Sequence, residues 1–196
     1  KIFSLFENNE RIININSEPI NGFIKGDMSN LANRLKESIL SSLYNEKDFK
    51  SLNSKTKTVF EFDIDDDLIS ILYSDLNFGK NTLISGEIYN NINDFKLNVL
   101  SSNIKLNQYS ADSVYISIDN SLKSNNFSFN ANNVFVNDKN IYSINLNKSL
   151  KDDLSILDVE VLTKENDTLQ TDIIYSVKND ILNFDGVILT KLDGDT

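Results

Sequence analysis

The residues best suited to holding a metal ion are Asp63-Ile64-Asp65-Asp66-Asp67, whose D-x-D-x-D spacing opens a calcium-binding loop. An oxygen cage for calcium also needs a glycine at its sharp turn and a bidentate acid at its end. Leu68 and Ser74 stand at those positions. The sequence instead predicts a helix N-terminus here, where carboxylates complement the positive end of the peptide dipoles. Asp193-Gly194-Asp195 is too short to make a cation site, and the glycine-aspartate repeats of calcium-loaded β-rolls are missing. Paired acids such as Asp152 and Asp153 fall in a turn beside Lys and Ser, where solvation is the expected state. With no His and no Cys, the chain lacks thiol nucleophiles, the usual zinc ligands and the commonest general base at neutral pH. A protein that is not an enzyme, with no metal and no cofactor, is the expectation.

Aromatic chemistry is the next candidate. Phe127, Phe129, Phe135, Tyr142 and Tyr175 have the faces needed to stack a sugar or a base, but they sit within strand alternation, which reads more simply as packing. Nucleic acid is disfavoured as a partner by charge: 29 Asp plus Glu against 19 Lys plus Arg give −10, which repels a phosphate backbone and an anionic membrane surface alike. No apolar run approaches the roughly 18 to 20 residues of a membrane-spanning helix.

The elements that would position any site are mostly strands. Asn103-Ile104-Lys105-Leu106-Asn107 recurs thirty positions later as Asn133-Val134-Phe135-Val136-Asn137. Val114, Ile116 and Ile118 are answered by Tyr142, Ile144 and Leu146, and Phe127, Phe129 and Ala131 by Leu157, Val159 and Val161. Each unit reads as three short strands, and a unit that cannot bury its own apolar face must stack on its neighbours. Before the repeats come a hairpin over 2–16, a strand over 20–26 and an amphipathic helix over about 29–44. Met28, Leu31, Ala32, Leu35, Ile39 and Leu43 form the helix stripe, with Asp27 or Ser29 as its cap. That stripe is expected to pack on the sheet, since its polar face lacks the basic excess of a membrane-surface helix. A polar loop over 45–56 separates this first section, residues 1–56, from the repetitive section 57–196, which includes a short second helix from Leu68 to Tyr73 and a turn at Asn77-Phe78-Gly79-Lys80-Asn81. The chain opens and closes inside strand-like patterns, so it is expected to be a piece of a longer protein.

Alternation puts Val114, Ile116 and Ile118 on one side of a strand and Tyr115, Ser117 and Asp119 on the other. A sheet with one continuous apolar face closes into a barrel, packs on a second sheet, or curls into a trough around something apolar.

The order of these features carries a resemblance. A strand–helix segment precedes Val59-Phe60-Glu61-Phe62-Asp63-Ile64. The run from Asp67 to Leu76 follows, then Thr82-Leu83-Ile84-Ser85-Gly86-Glu87-Ile88, and then repeats of the kind Leu97-Asn98-Val99-Leu100-Ser101-Ser102-Asn103-Ile104-Lys105-Leu106. The pattern resembles the repeat region of the TamB (translocation and assembly module) family of the AsmA-like superfamily, in its Bacteroidetes form. The resemblance implies an elongated, repetitive antiparallel β-sheet curled into an open groove, a half-pipe or taco with a solenoid-like repeat. It also implies a periplasmic location, with anchoring to the cell envelope in the full-length protein. Phospholipid acyl chains would pass along the groove between inner and outer membranes, and an Omp85-family outer-membrane barrel of TamA-like type would dock through regions outside this chain. The groove lining expected is Val99, Ile104, Leu106, Val114, Ile116, Ile118, Phe127, Phe129, Val134, Val136, Ile144, Leu146, Val159 and Val161. About a dozen strands at about 4.8 Å spacing make roughly 60 Å of such a conduit. The alternatives are a structural or adhesive β-solenoid with a sealed core and no ligand, and a carbohydrate-binding or carbohydrate-active β-domain, which the absence of Trp and His disfavours.

Overall fold

The computed structural model describes residues 1–8, 10–44, 57–65, 75–89, 94–121, 124–136, 139–151, 154–163, 167–178 and 181–193. These form β1 (Ile2–Glu7), β2 (Glu10–Ser17), β3 (Ile20–Gly26), α1 (Leu31–Tyr44), β4 (Lys57–Ile64), β5 (Leu76–Phe78), β6 (Thr82–Tyr89), β7 (Phe95–Leu106) and β8 (Tyr109–Ser121). The chain continues as β9 (Ser124–Val136), β10 (Lys139–Lys151), β11 (Leu154–Thr163), β12 (Thr168–Lys178) and β13 (Ile181–Asp193). All strands belong to one open antiparallel sheet, a meander in the order β1-β2-β3-β4-β6-β7-β8-β9-β10-β11-β12-β13, with β5 paired to the end of β7. The sheet does not close into a barrel. Because β3 pairs with β4, the strands on both sides of the 45–56 segment share one ladder. That segment and the predicted second helix, Leu68 to Tyr73, lie outside the described residues.

The register aligns the alternation of every strand with that of its neighbours. One lateral row runs Ile2, Ile15, Gly22, Phe62, Ile84, Val99, Ile116, Phe129, Leu146, Val159, Thr171. In β13, Leu189 takes the next place in the register. The adjoining row on the opposite face is polar from β4 onward: Glu61, Ser85, Asn98, Ser117, Ser128, Asn147, Asp158, Asp172. A slip by one residue at any pairing would invert a whole strand, so the two rows hold each other in register.

The helix closes over the apolar face. Asp27 Oδ1 accepts from the Ser29 main-chain N–H (2.9 Å) and hydroxyl (2.7 Å), and Asn30, at φ 51°, gives its carbonyl to the first helical bond from Arg34 N–H (3.0 Å). Leu31, Leu35 and Ile39 then pack on a buried cluster of Phe60, Ile88, Phe95 and Ile118. The expected helix is therefore present and its stripe meets the sheet. Phe60 and Phe62 stack on β4 with ring centroids 6.2 Å apart, and each lies opposite a glycine in the register, Gly86 and Gly22 respectively. A Cβ on Gly86 would come within 2.4 Å of Phe60 Cζ and 2.6 Å of the Lys96 carbonyl oxygen; one on Gly22 would come within 2.7 Å of Phe62 Cδ1. The two glycines clear room for the rings to lie flat across the neighbouring strands. Gly86→Val is expected to cost about 1–3 kcal/mol by overpacking, and Phe60→Leu in the same chain should return part of that loss. A double-mutant cycle from urea unfolding measures the coupling.

Three expectations are corrected. The repeat unit is two long strands rather than three short ones, since Phe95–Leu106 and Ser124–Val136 each run without a break. The segment around Asn77-Phe78, expected as part of a turn, contains β5, with Leu76 opposite Leu106 and Phe78 opposite Ile104. Tyr142 does not share the face of Ile144 and Leu146: it is 54% exposed at a bulge, and Ile141 takes the apolar position.

The bulge explains all but β5. Across four adjacent strands the same four-residue interruption occurs at matching height: Ser101-Ser102-Asn103-Ile104, Ala111-Asp112-Ser113-Val114, Ala131-Asn132-Asn133-Val134 and Ile141-Tyr142-Ser143-Ile144. In each, the first and fourth residues both pack toward the apolar side, so two residues stand between them where strict alternation has one. Ser113 (φ 50°) and Asn133 (φ 45°) take left-handed backbone to absorb the extra residue. Asp112 ties the crease across three strands, accepting from Asn103 Nδ2 at 2.8 Å and from Asn133 Nδ2 at 3.1 Å. The polar pair interrupts the pattern without ending the ladder.

Candidate apolar binding site

All fourteen residues expected to line a groove lie on the face that carries α1. Val99, Ile116, Phe129, Leu146 and Val159 form the central row, Ile118 and Phe127 the next, and Ile144 and Val161 a third on the other side. Val114 and Val134 are buried at the crease, where Ile104 and Val136 pack against them. The face divides into two regions. The first cluster, around Phe95, is covered by α1, whereas the second, Val114, Ala131 and Val134, is packed among the described residues by strand residues.

Over that second cluster opens a pocket of about 270 Å³. Seven of the expected residues line it: Ile104, Leu106, Val114, Ile116, Phe129, Val134 and Val136, joined by Tyr109, Ser110, Ala111 and Phe135. Leu106 (47% exposed) and Tyr109 (40%) stand at its solvent side. The crease makes this pocket, because the parity change sends Ile104 and Val134 inward beside Val114 instead of outward. Taking about 30 Å³ for a water-sized group, the space holds on the order of nine such groups. The Ser110 and Tyr109 hydroxyls are the polar side-chain groups of an otherwise apolar lining, so the pocket offers a ligand mainly dispersion and desolvation and little directional bonding.

One cation interrupts the apolar face. Lys148 follows Ile144 and Leu146 in the alternation and stands between Phe127 and Leu157 in the register. It is 3% exposed, its Nζ donates to the Ser42 carbonyl near the end of α1, and burial pulls its ammonium down to about 8. Ser42 itself donates through its hydroxyl to the Ile39 carbonyl at 2.7 Å. A lysine at a helix C-terminus satisfies a carbonyl that has no intrahelical donor and suits the negative end of the dipole. The signal for Lys148 was present in the i, i+2 spacing from Leu146, although a lysine in an apolar series reads first as a strand end.

The remaining candidates disperse. Phe127 and Phe129 pack in the two clusters, Phe135 lines the pocket and Tyr175 is buried, where desolvation raises its phenol and Ser155 partly offsets the rise. Asp63 and Asp65 are exposed, Asp66 and Asp67 lie outside the described residues, and among the described residues no group of three or more acidic side chains is placed to hold a metal ion. On the polar face, burial, with the negative charges of Asp172 and Glu160, raises the Asp158 carboxyl.

Among the described residues, fold and site define a single-layer antiparallel meander with one helix on its apolar face and, beside it, an apolar pocket that this helix does not cover. Comparison with protein-family models, with curated proteins and with solved structures gives no match for this chain.

Proposed function

We propose that the apolar face is a lipid-conducting groove, part of a periplasmic protein that passes phospholipid acyl chains between membranes or supports outer-membrane protein assembly. Partner barrels of the Omp85 type would engage regions outside this chain. The observation that carries this reading is an apolar row unbroken from Phe62 on β4 to Val159 on β11 and running past a pocket that α1 leaves uncovered. An acyl chain needs a dry, non-directional surface, and this row offers one.

Magnitudes agree with transient occupancy. About nine buried methylenes contribute roughly 7 kcal/mol at about 0.8 kcal/mol each. Association costs of at least about 4 kcal/mol leave a weak site, which suits a chain that must move on. Eleven spacings of about 4.8 Å across twelve strands give a path of about 50 Å, so this section supplies part of a conduit.

The test is native mass spectrometry with lipid extraction on protein purified from a bacterial envelope without detergent. Ile116→Asp, which puts a carboxylate in the central row, should abolish co-purifying phospholipid, while Ser117→Asp on the polar face should retain it. Both variants are checked for native circular dichroism. Equal retention by both, or a folded wild type reproducibly free of lipid, overturns the groove. The lipid-free result favours a structural sheet whose apolar face α1 serves only to seal, a reading supported by the burial of Phe95 and Ile88 beneath the helix.

A further inference from the structure

Among the described residues, the pocket over the second cluster is closed at one end and open at the other. Its lining follows β7, β8 and β9 from Ile116 and Phe129 out to Leu106, Tyr109 and Val136, beside the β7–β8 hairpin. Ile116 packs against both buried clusters, and the next pair along the strands, Ile118 and Phe127, belongs to the cluster under α1, so the helix-covered core forms the inner wall. Exposure then rises outward: Val114 is buried, whereas Leu106 and Tyr109 are exposed.

Polar groups gather at the open end. Leu76 lies opposite Leu106, Leu106 opposite Tyr109, and Val136 opposite Lys139, while the pairing of Ser110 with Phe135 sets Tyr109 level with Val136. Residues directly opposite one another share a face of the sheet, so this outermost row puts the Tyr109 phenol and the Lys139 ammonium on the pocket side and contains no acid. The Gln108 amide donates to the Tyr109 hydroxyl at 3.4 Å, which leaves the phenolic proton for another acceptor. Lys139 is exposed and, among the described residues, has no ion pair. A hydroxyl donor and a cation at the mouth of an apolar pocket complement one anionic group carried on an apolar tail.

We propose that this pocket takes a single-tailed anionic amphiphile, a fatty carboxylate of medium length, end-on. The tail points toward Ile116 and Phe129 and the carboxylate stays at the mouth with Tyr109 and Lys139. The volume of about 270 Å³ holds about nine methylene-sized groups, enough for one such tail and too little for the two tails of a phospholipid. The site is separate from conduction across the sheet: a pocket closed at its inner end holds an amphiphile whether or not phospholipid moves along the central row. Lipid extracted from the purified protein reports on the row, and soluble carboxylates report on the pocket, so either reading can fail alone.

Isothermal titration calorimetry with hexanoate, octanoate, decanoate and dodecanoate, each below micelle formation, tests the site. Affinity should rise about threefold to fourfold per methylene as far as decanoate, whose tail fills the pocket, and level off at dodecanoate. Lys139→Gln, at an exposed position, should weaken octanoate about threefold and leave uncharged 1-octanol unchanged. Ala111→Leu fills part of the pocket and should weaken both about tenfold, with native circular dichroism retained. No saturable binding of decanoate by the folded wild type overturns the proposal. So does an affinity that climbs by the same factor through dodecanoate, which would carry the tail past Phe129, or an equal response of octanoate and 1-octanol to Lys139→Gln.

Discussion

Phe95→Ala is expected to lower unfolding free energy by about 3–5 kcal/mol, whereas Leu100→Ala, five residues along the same strand, should change it by about 0.5 kcal/mol or less. Phe95 is 0% exposed and sits where β4, β6, β7, β8 and α1 converge, touching the cluster of Phe60, Ile88 and Ile118. Leu100 is half exposed on the opposite face, beside Leu83 and Tyr115 in the register. Truncation at Phe95 removes the transfer free energy of a large ring and leaves a cavity that the helix, held at one end by the bond from Thr58 Oγ1 to the Asp27 carbonyl and at the other by Lys148, has limited freedom to fill. Against a total stability of about 5–15 kcal/mol, that loss is a large fraction. Urea unfolding followed by circular dichroism measures both variants. Similar losses at the two positions would mean that the two faces are equally buried, and the one-sided sheet would be wrong.

Face assignment was the part most legible in the sequence, and the reason is geometric. Strand alternation has an unambiguous period, so Val114, Ile116 and Ile118 had to share a side whatever the strand paired with. The amphipathic helix was legible for the same reason, with Leu31, Leu35 and Ile39 at helical spacing. The crease was not, because Ala131-Asn132-Asn133-Val134 looks like a strand end followed by a turn and a new strand. Two polar residues are the ordinary mark of a loop, and only the ladder on both sides shows that the chain passes straight through. Tyr142 was misplaced by the same break, since counting by twos from Ile144 runs onto the bulged residue. The pocket depends on four such interruptions aligning, which is a property of the register between strands and is not written within any one of them. The pairing of each phenylalanine on β4 with a flanking glycine is a register property too. Gly22 and Gly86 are distant in sequence, and only the ladder sets them on either side of Phe60 and Phe62.

Lys148 yields the second large effect, a stability that rises with pH through the alkaline range. Its ammonium gives up its proton near pH 8 in the folded chain, against an ordinary value of 10.5, because burial penalises the charge. Below pH 8 the folded protein carries a desolvated cation at a cost of about 3 kcal/mol, and above 10.5 neither state carries it. Between those limits the unfolded chain binds the extra proton, so stability must rise with pH, by roughly 2 kcal/mol between pH 7 and 9.5. Tyr175 begins to act the other way above about pH 10, since its raised phenol keeps its proton in the folded chain after the unfolded chain has lost it. Lys148→Met removes the cation and fills its space on the apolar face, but leaves the Ser42 carbonyl without that donor, at a cost of about 1 kcal/mol. The variant should therefore be about 2 kcal/mol more stable than wild type at pH 7 and should show no comparable rise by pH 9.5. Since every other titrating group is common to both proteins, the difference between their urea stabilities at the two pH values isolates this one lysine. An unchanged difference would mean that the ammonium is solvated and that α1 does not rest on β10. A difference that closes as pH rises would establish the helix as a cover fastened to the sheet at a measurable cost. The protein would then be tolerating a buried charge for the sake of holding α1 over one half of its apolar face.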